Sequence, residues 1–222
     1  MKDILTKYDK ESCADKFEQY YQMLVEWNEK FNLTAITERQ EVKIKHFADS
    51  LCGERFIPNG AKVLDIGAGA GFPSLPIKII RDDIDLTMLD SVNKKVGFLN
   101  EVVRNLNLTS AIALHTRVED FNAKEKFDIV LSRAVASLNT LCEYALPFVK
   151  LGGLFIAYKS EKTDEEIEQA KNALAVLGGE IAQVTTESVA DGITRKLVII
   201  KKVKPSGAKY PRGKNLPRVK PL

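Results

Sequence analysis

The chain has 222 residues, 45% of them apolar and 28% charged, a balance that fits a globular protein with a real core and excludes disordered and fibrous classes. No apolar run approaches the roughly 18 residues that cross a bilayer. The N-terminus, with Lys2, Asp3 and the polar stretch from Thr6 to Glu11, is too charged for a signal peptide, so the expected compartment is the cytoplasm. Taken in chain order, the apolar residues Phe17, Tyr20, Tyr21, Leu24, Trp27 and Phe31 recur at three- and four-residue steps, which predicts an amphipathic helix. Thr37 followed by Gln40 has the form of a capping box, and a second helix is expected to carry Val42, His46, Phe47 and Leu51 on one face. Pro58-Asn59-Gly60 then breaks the chain, so residues 1–57 read as a helical extension.

Beyond that break short apolar runs alternate with helical patterns, the mark of βαβ units around a parallel sheet. Strands are predicted at 62–66, 85–89, 111–114, 127–131 and 154–159, with helices at 74–81, 92–106, 137–149 and 163–177. Two further strands, 180–187 and 194–202, are joined only by Ala190-Asp191-Gly192. A link that short permits only an antiparallel hairpin. The expected fold class is therefore α/β, with a mostly parallel seven-stranded sheet, an antiparallel C-terminal strand and an N-terminal helical extension.

Charge is distributed unevenly along the chain. The net is +3, yet residues 201–222 carry eight positive charges and no acidic one, leaving 25 positive and 30 negative charges before them. That segment also holds Pro205, Pro211, Pro217 and Pro221, which speaks against a helix and predicts an extended arm suited to a polyanion. A solubilising tail with no partner is the alternative. Cys13, Cys52 and Cys142 are scattered with no CxxC pair, and only His46 and His115 accompany them. That is neither a disulfide framework nor a metal-ligand set, so no metal is expected.

The most informative stretch, Asp65-Ile66-Gly67-Ala68-Gly69-Ala70-Gly71-Phe72-Pro73, leaves a strand and enters a helix. Alternating glycines let the backbone pass close to a ligand. A dinucleotide pattern begun at Gly67 needs glycine where Phe72 stands, and one begun at Gly69 needs it where Ser74 stands. The Gly-Lys-Ser/Thr ending of a phosphate-binding loop is absent as well. What remains is acidic-x-Gly-x-Gly-x-Gly with a second carboxylate, Asp90, after the next strand, placed to accept both hydroxyls of a ribose. This arrangement resembles the S-adenosylmethionine loop of Rossmann-like methyltransferases, whose sheet also ends in an antiparallel hairpin. The resemblance implies that Asp65 lies near the amino-acid end of the cofactor, that Gly67, Gly69 and Gly71 pass under it, and that Asp90 holds its ribose. The division of the chain then reads as extension 1–57, methyltransferase domain 58–202 and basic tail 203–222.

Strand four runs into Ser132-Arg133-Ala134-Val135-Ala136-Ser137-Leu138, which lacks the Asn/Asp-Pro-Pro-aromatic pattern of amino-group methyltransferases, and Cys142 sits inside a predicted helix rather than at a nucleophile's position. The segments from Trp27 to Ile36, His46 to Leu51, Asp65 to Pro76, Arg117 to Glu119, Ser132 to Leu138 and Lys209 to Arg212 resemble the small-subunit (16S) ribosomal RNA guanine-N7 methyltransferases, once called glucose-inhibited division protein B. The likeness spans nearly the whole chain. It implies cofactor contacts at Gly67, Phe72, Val118, Glu119 and Arg133, with Phe72 and Val118 offering apolar surface to the adenine. Guanine N7 carries a free lone pair at neutral pH, so no base must remove a proton, and no catalytic residue is named. Arg117, Arg133, Lys159, Arg195, Lys196 and Arg212 are the candidate contacts to RNA, in a chain expected to act as a monomer. His46 and Asn32 belong to motif-bearing segments and read equally as packed residues or as parts of an RNA dock. A methyltransferase with another acceptor, or a binding module without turnover, are the rival readings.

Overall fold

The structure, a computed structural model, describes residues 1–133, 136–160 and 163–222. Its centre is a seven-stranded sheet of β1 (Lys62–Ile66), β2 (Asp85–Asp90), β3 (Ala111–His115), β4 (Phe127–Arg133), β5 (Val149–Lys159), β6 (Gly179–Ala190) and β7 (Ile193–Lys202), in the order β3-β2-β1-β4-β5-β7-β6. Strands β1 to β5 pair in parallel, and β7 pairs antiparallel to both β5 and β6. The order reverses between β1 and β4, and in open α/β sheets ligands bind at the carboxyl ends of the strands flanking such a point.

Successive side chains of a strand point to opposite faces, and both faces of this sheet are covered. Val63, Ile129, Leu131, Ile156 and Ile199 join one core with helices Ala14–Phe31, Ser74–Ile80 and Asn93–Asn105, whereas Leu64, Val130, Phe155, Ala157 and Val198 join a second core with helices Leu138–Ala145 and Thr163–Leu177. The N-terminal helix buries Phe17, Tyr20 and Leu24 completely, and each such side chain contributes about 2 kcal/mol of burial free energy. It ends at Asn32 in the left-handed conformation (φ 49°), and the Asn28 side chain accepts a hydrogen bond from the Thr34 amide at 2.8 Å. Asn32 therefore acts as a helix terminator.

Four expectations are corrected. The second helix is capped by Glu38 and not by Thr37: the Glu38 carboxylate accepts from the amides of Gln40 (3.0 Å) and Glu41 (2.8 Å). The chain beyond it winds as a π-helix over Val42–Ala48, a geometry that recurs at functional sites. Strand β5 begins at Val149, with Gly152 at φ +82° inside it, so helix Leu138–Ala145 and the 3₁₀ turn Leu146–Phe148 stop one residue short of the expected end. The tail is no extended arm. Tyr210, Pro211 and Pro217 are buried, and Leu216–Val219 forms a helical turn. Pro217 is tolerated there because a proline in the first turn removes an amide that has no helical partner anyway.

Candidate cofactor and acceptor site

The loop after β1 is fastened at its start by the amides of Gly67 and Ala68, which donate to the Leu89 carbonyl at 2.9 and 3.0 Å. Gly67, Gly69 and Gly71 all take positive φ (70°, 61° and 96°). A Cβ on Gly71 would collide with Tyr20 and Leu75, so that glycine is required by packing; a Cβ on Gly69 would meet nothing closer than the Gly67 carbonyl at 3.9 Å, so that one leaves space for a ligand. The Gly69 amide donates to Asp90 Oδ2 (2.9 Å) and the Val92 amide to Asp90 Oδ1 (2.8 Å). Each oxygen keeps a further lone pair for another donor.

Asp65 is fully buried at the end of β1. Its Oδ2 accepts from the Ser74 hydroxyl at 2.5 Å, while Oδ1 has no partner. Burial pushes this carboxyl up to about 6. A buried carboxylate oxygen without a donor marks a place for one, although Asp65 itself borders neither of the two cavities over the strand ends.

Two adjoining cavities open over the strand ends. The first, of about 290 Å³, is bounded by Asp90, Arg117, Val118, Glu119 and Tyr144; the second, of about 440 Å³, by Thr34, His46, Gly69, Phe72, Lys95 and Arg133. They share Gly67, Asp90, Ser91 and Arg218. Val118 lines the first cavity and Phe72 the second, on either side of the wall they share. Phe72 is held where it is by aromatic neighbours: the His46 ring stacks on it at 4.4 Å, Tyr20 lies 5.7 Å away, and the Arg133 guanidinium sits 5.0 Å from its centroid.

Arg133 donates to Asp49 Oδ2 at 2.7 Å and, through its other nitrogen, lies 3.2 Å from His46 Nδ1. His46 Nδ1 lies equally close, 3.2 Å, to the Lys45 carbonyl, and Nε2 faces the Thr34 hydroxyl at 2.9 Å. Burial, aided by the Arg133 charge, lowers His46 to about 4 and keeps it neutral. Asp49, only 2% exposed, takes a second cation at Oδ1, where Arg195 Nε approaches to 2.5 Å.

The sequence-derived RNA candidates fall into three places. Arg133 and Arg195 converge on Asp49, and Lys159, whose carbonyl accepts from Arg195 (2.9 Å), pairs with Glu166 at 2.6 Å. Arg117 is exposed beside the first cavity. Lys196 pairs with Asp164, and Arg212 is clamped on the buried Glu143, both away from these cavities. Ala134 and Val135, in the segment after Arg133, lie outside the described residues. Sequence reasoning missed Asp49 as a hub and Arg218 and Asn215 as cavity walls. The three-residue step from His46 to Asp49, which puts both on one helical face, was the available signal for the first.

Strand order, glycine loop and β2 carboxylate are those of the S-adenosylmethionine-dependent methyltransferase fold. Solved structures agree in fold: M. jannaschii TYW2 in complex with AdoMet matches with a TM-score of 0.60 at 17% identity over 76% of this chain and 80% of that one. An S-adenosylmethionine-dependent methyltransferase from Aquifex aeolicus matches with a TM-score of 0.56 at 16% identity, over 75% and 94%. The chain belongs to the rRNA small subunit methyltransferase G family, whose sequence model matches residues 13–198. It is 51% identical over 215 residues to ribosomal RNA small subunit methyltransferase G of Desulforamulus reducens, covering 93% of this chain and 89% of that relative. The protein of the same name from Lachnoclostridium phytofermentans is 47% identical over 94% and 89%. Among the described residues no helix is long and apolar enough to cross a membrane, and no group of three His, Cys, Asp or Glu side chains is arranged to hold a metal.

Proposed function

We propose that this protein transfers the methyl group of S-adenosylmethionine to N7 of a guanine in 16S ribosomal RNA of the small ribosomal subunit. The family match over residues 13–198 carries the reading, and the site's chemistry agrees with it. Bound S-adenosylmethionine supplies an electrophilic methyl group on a sulfonium sulfur. Asp65 provides the buried negative charge for the cofactor's ammonium, Asp90 keeps lone pairs for ribose hydroxyls, and Val118 offers apolar surface in the cavity that takes adenosine. Glu119 borders the same cavity, and Gly67, shared by both cavities, and Gly69, in the second, keep the loop thin beneath the ligand, whereas Gly71 serves packing.

The second cavity takes the guanine. N7 attacks with its own lone pair, so the protein's task there is alignment, and held geometry contributes entropically to the rate. Methylation leaves a positive charge on the base. At this cavity His46 is neutral and the Arg133 charge is matched by Asp49, while Lys95 and Arg218 also stand in its wall. Arg117, Lys159 and Arg195 around the strand ends remain the candidates for RNA phosphates. In this reading the chain acts in the cytoplasm as a monomer.

The test is incubation with labelled S-adenosylmethionine and small subunits from a strain lacking this activity, followed by nucleoside mass spectrometry. A stoichiometric gain of 7-methylguanosine that vanishes with Asp65→Ala is expected. Cofactor binding without any gain on subunits, precursors or free ribosomal RNA would overturn the assignment.

A further inference from the structure

Residues 204–222 lie beyond the span matched by the family model, yet they reach the cavities at the strand ends. We propose that this segment completes the cofactor site, with Asn215 and Arg218 forming the outer wall of the cavity that takes adenosine. The inference rests on reading that cavity as the cofactor's.

The path of the segment is fixed at several points. Lys202, fully buried at the end of β7, donates to the carbonyls of Leu146 (2.8 Å) and Leu177 (3.0 Å) and to the Ser206 hydroxyl. Ser206 in turn donates to the Leu177 carbonyl at 2.7 Å. Tyr210 then enters the core between the sheet and helix Leu138–Ala145. Arg212 donates three times to Glu143, from its amide and Nε to Oε1 (2.8 Å each) and from its terminal nitrogen to Oε2 (2.6 Å). Glu143 is fully buried, and a buried carboxylate tolerates loss of its cation poorly. One turn on, Thr140 Oγ1 donates to the Pro217 carbonyl at 3.0 Å, and the Tyr144 hydroxyl lies 3.5 Å from Asn215. Thr140, Glu143 and Tyr144 share one face of their helix, so the segment is strapped along that face.

The strap ends in helix Leu216–Val219, which sets Asn215 on the adenosine-side cavity and Arg218 on both cavities. The long stem and planar guanidinium of arginine cover flat heteroaromatic rings well, and Val118 contributes apolar surface to the same cavity. The basic tail is thereby a part of the cofactor site, and Arg212 its anchor.

The experiment measures S-adenosylhomocysteine affinity by calorimetry for the full chain, for Arg218→Ala, for a chain ending at Lys214 and for Asp90→Ala, with subunit methylation kinetics in parallel. Arg218 is exposed, so its alanine variant keeps the fold, as circular dichroism will verify. The proposal expects affinity to fall about fivefold in Arg218→Ala and about tenfold or more in the shortened chain. Affinities within twofold of the parent for both, with any loss confined to the KM for subunits, would overturn it. Asp90→Ala separates the two layers of inference. If it weakens binding while the tail variants do not, the tail proposal alone fails; if it too binds normally, the cavity is not the cofactor's.

Discussion

Asp65 combines two properties that rarely persist together in a folded protein: complete burial and an unsatisfied oxygen. Burial raises its carboxyl to about 6, so in the cofactor-free protein it takes up a proton below that pH. An ammonium group placed against it favours the ionised form, and binding at lower pH must therefore expel the proton. S-adenosylhomocysteine affinity should be constant above about pH 6.5 and fall toward tenfold per unit below about 6, approaching one proton released per molecule bound. Asp65→Asn should bind weakly with no such slope. Calorimetry from pH 5 to 8 reads both, and a flat profile for the parent protein would show that Asp65 does not meet the cofactor's charge. His46, lowered to about 4, stays neutral throughout that window. With no proton to remove from guanine N7 and His46 neutral, kcat on small subunits should vary less than about twofold between pH 6.5 and 8.5. A sigmoidal rise through pH 6 to 7 at saturating cofactor would point to a general base.

Among elements, the joint between the helical extension and the sheet hangs on Asp49, which holds Arg133 from the end of β4 and Arg195 from the start of β7. Replacing it with Asn keeps the shape and strands two largely covered guanidinium groups. The expected cost is about 3 kcal/mol, or a Tm lowered by roughly 6–12 °C for a domain of this size, measured by thermal unfolding. A drop below about 2 °C would mean that the desolvation of the three charges cancels their attraction. These pairs also show where sequence reading stops. The strands at 62–66 and 111–114 and the helix at 163–177 were legible because their periodicity is local, and the glycine loop because its spacing is chemical. Asp49 meets Arg133 and Arg195 across 84 and 146 residues, and no local pattern carries that information. The first half of β5 was hidden because Gly152-Gly153 reads as a break, and the side that Phe72 faces was hidden because aromatic packing against His46 and Tyr20, and not the loop's own sequence, decides it.

On the scale of the whole molecule the question is how much positive charge is available to RNA. A free arm with the eight cations that follow residue 200 would release counterions with a salt slope near −6, taking about 0.7 per phosphate contacted on single strands. The folded tail offers fewer: Lys202 is buried and Arg212 is committed to Glu143. Elsewhere Arg133, Arg195, Lys159 and Lys196 already face carboxylates, so a phosphate that takes one of them must share or displace an acid. The logarithm of subunit affinity against that of KCl, at fixed magnesium, should therefore fall with a slope of about −4. A slope of −6 or steeper would mean that the tail peels from helix Leu138–Ala145 and enters the RNA. In that event cofactor and RNA would draw on the same segment in opposite directions. Linkage then requires saturating S-adenosylhomocysteine to weaken RNA binding and flatten the slope, whereas a tail that stays strapped leaves the slope the same with and without cofactor.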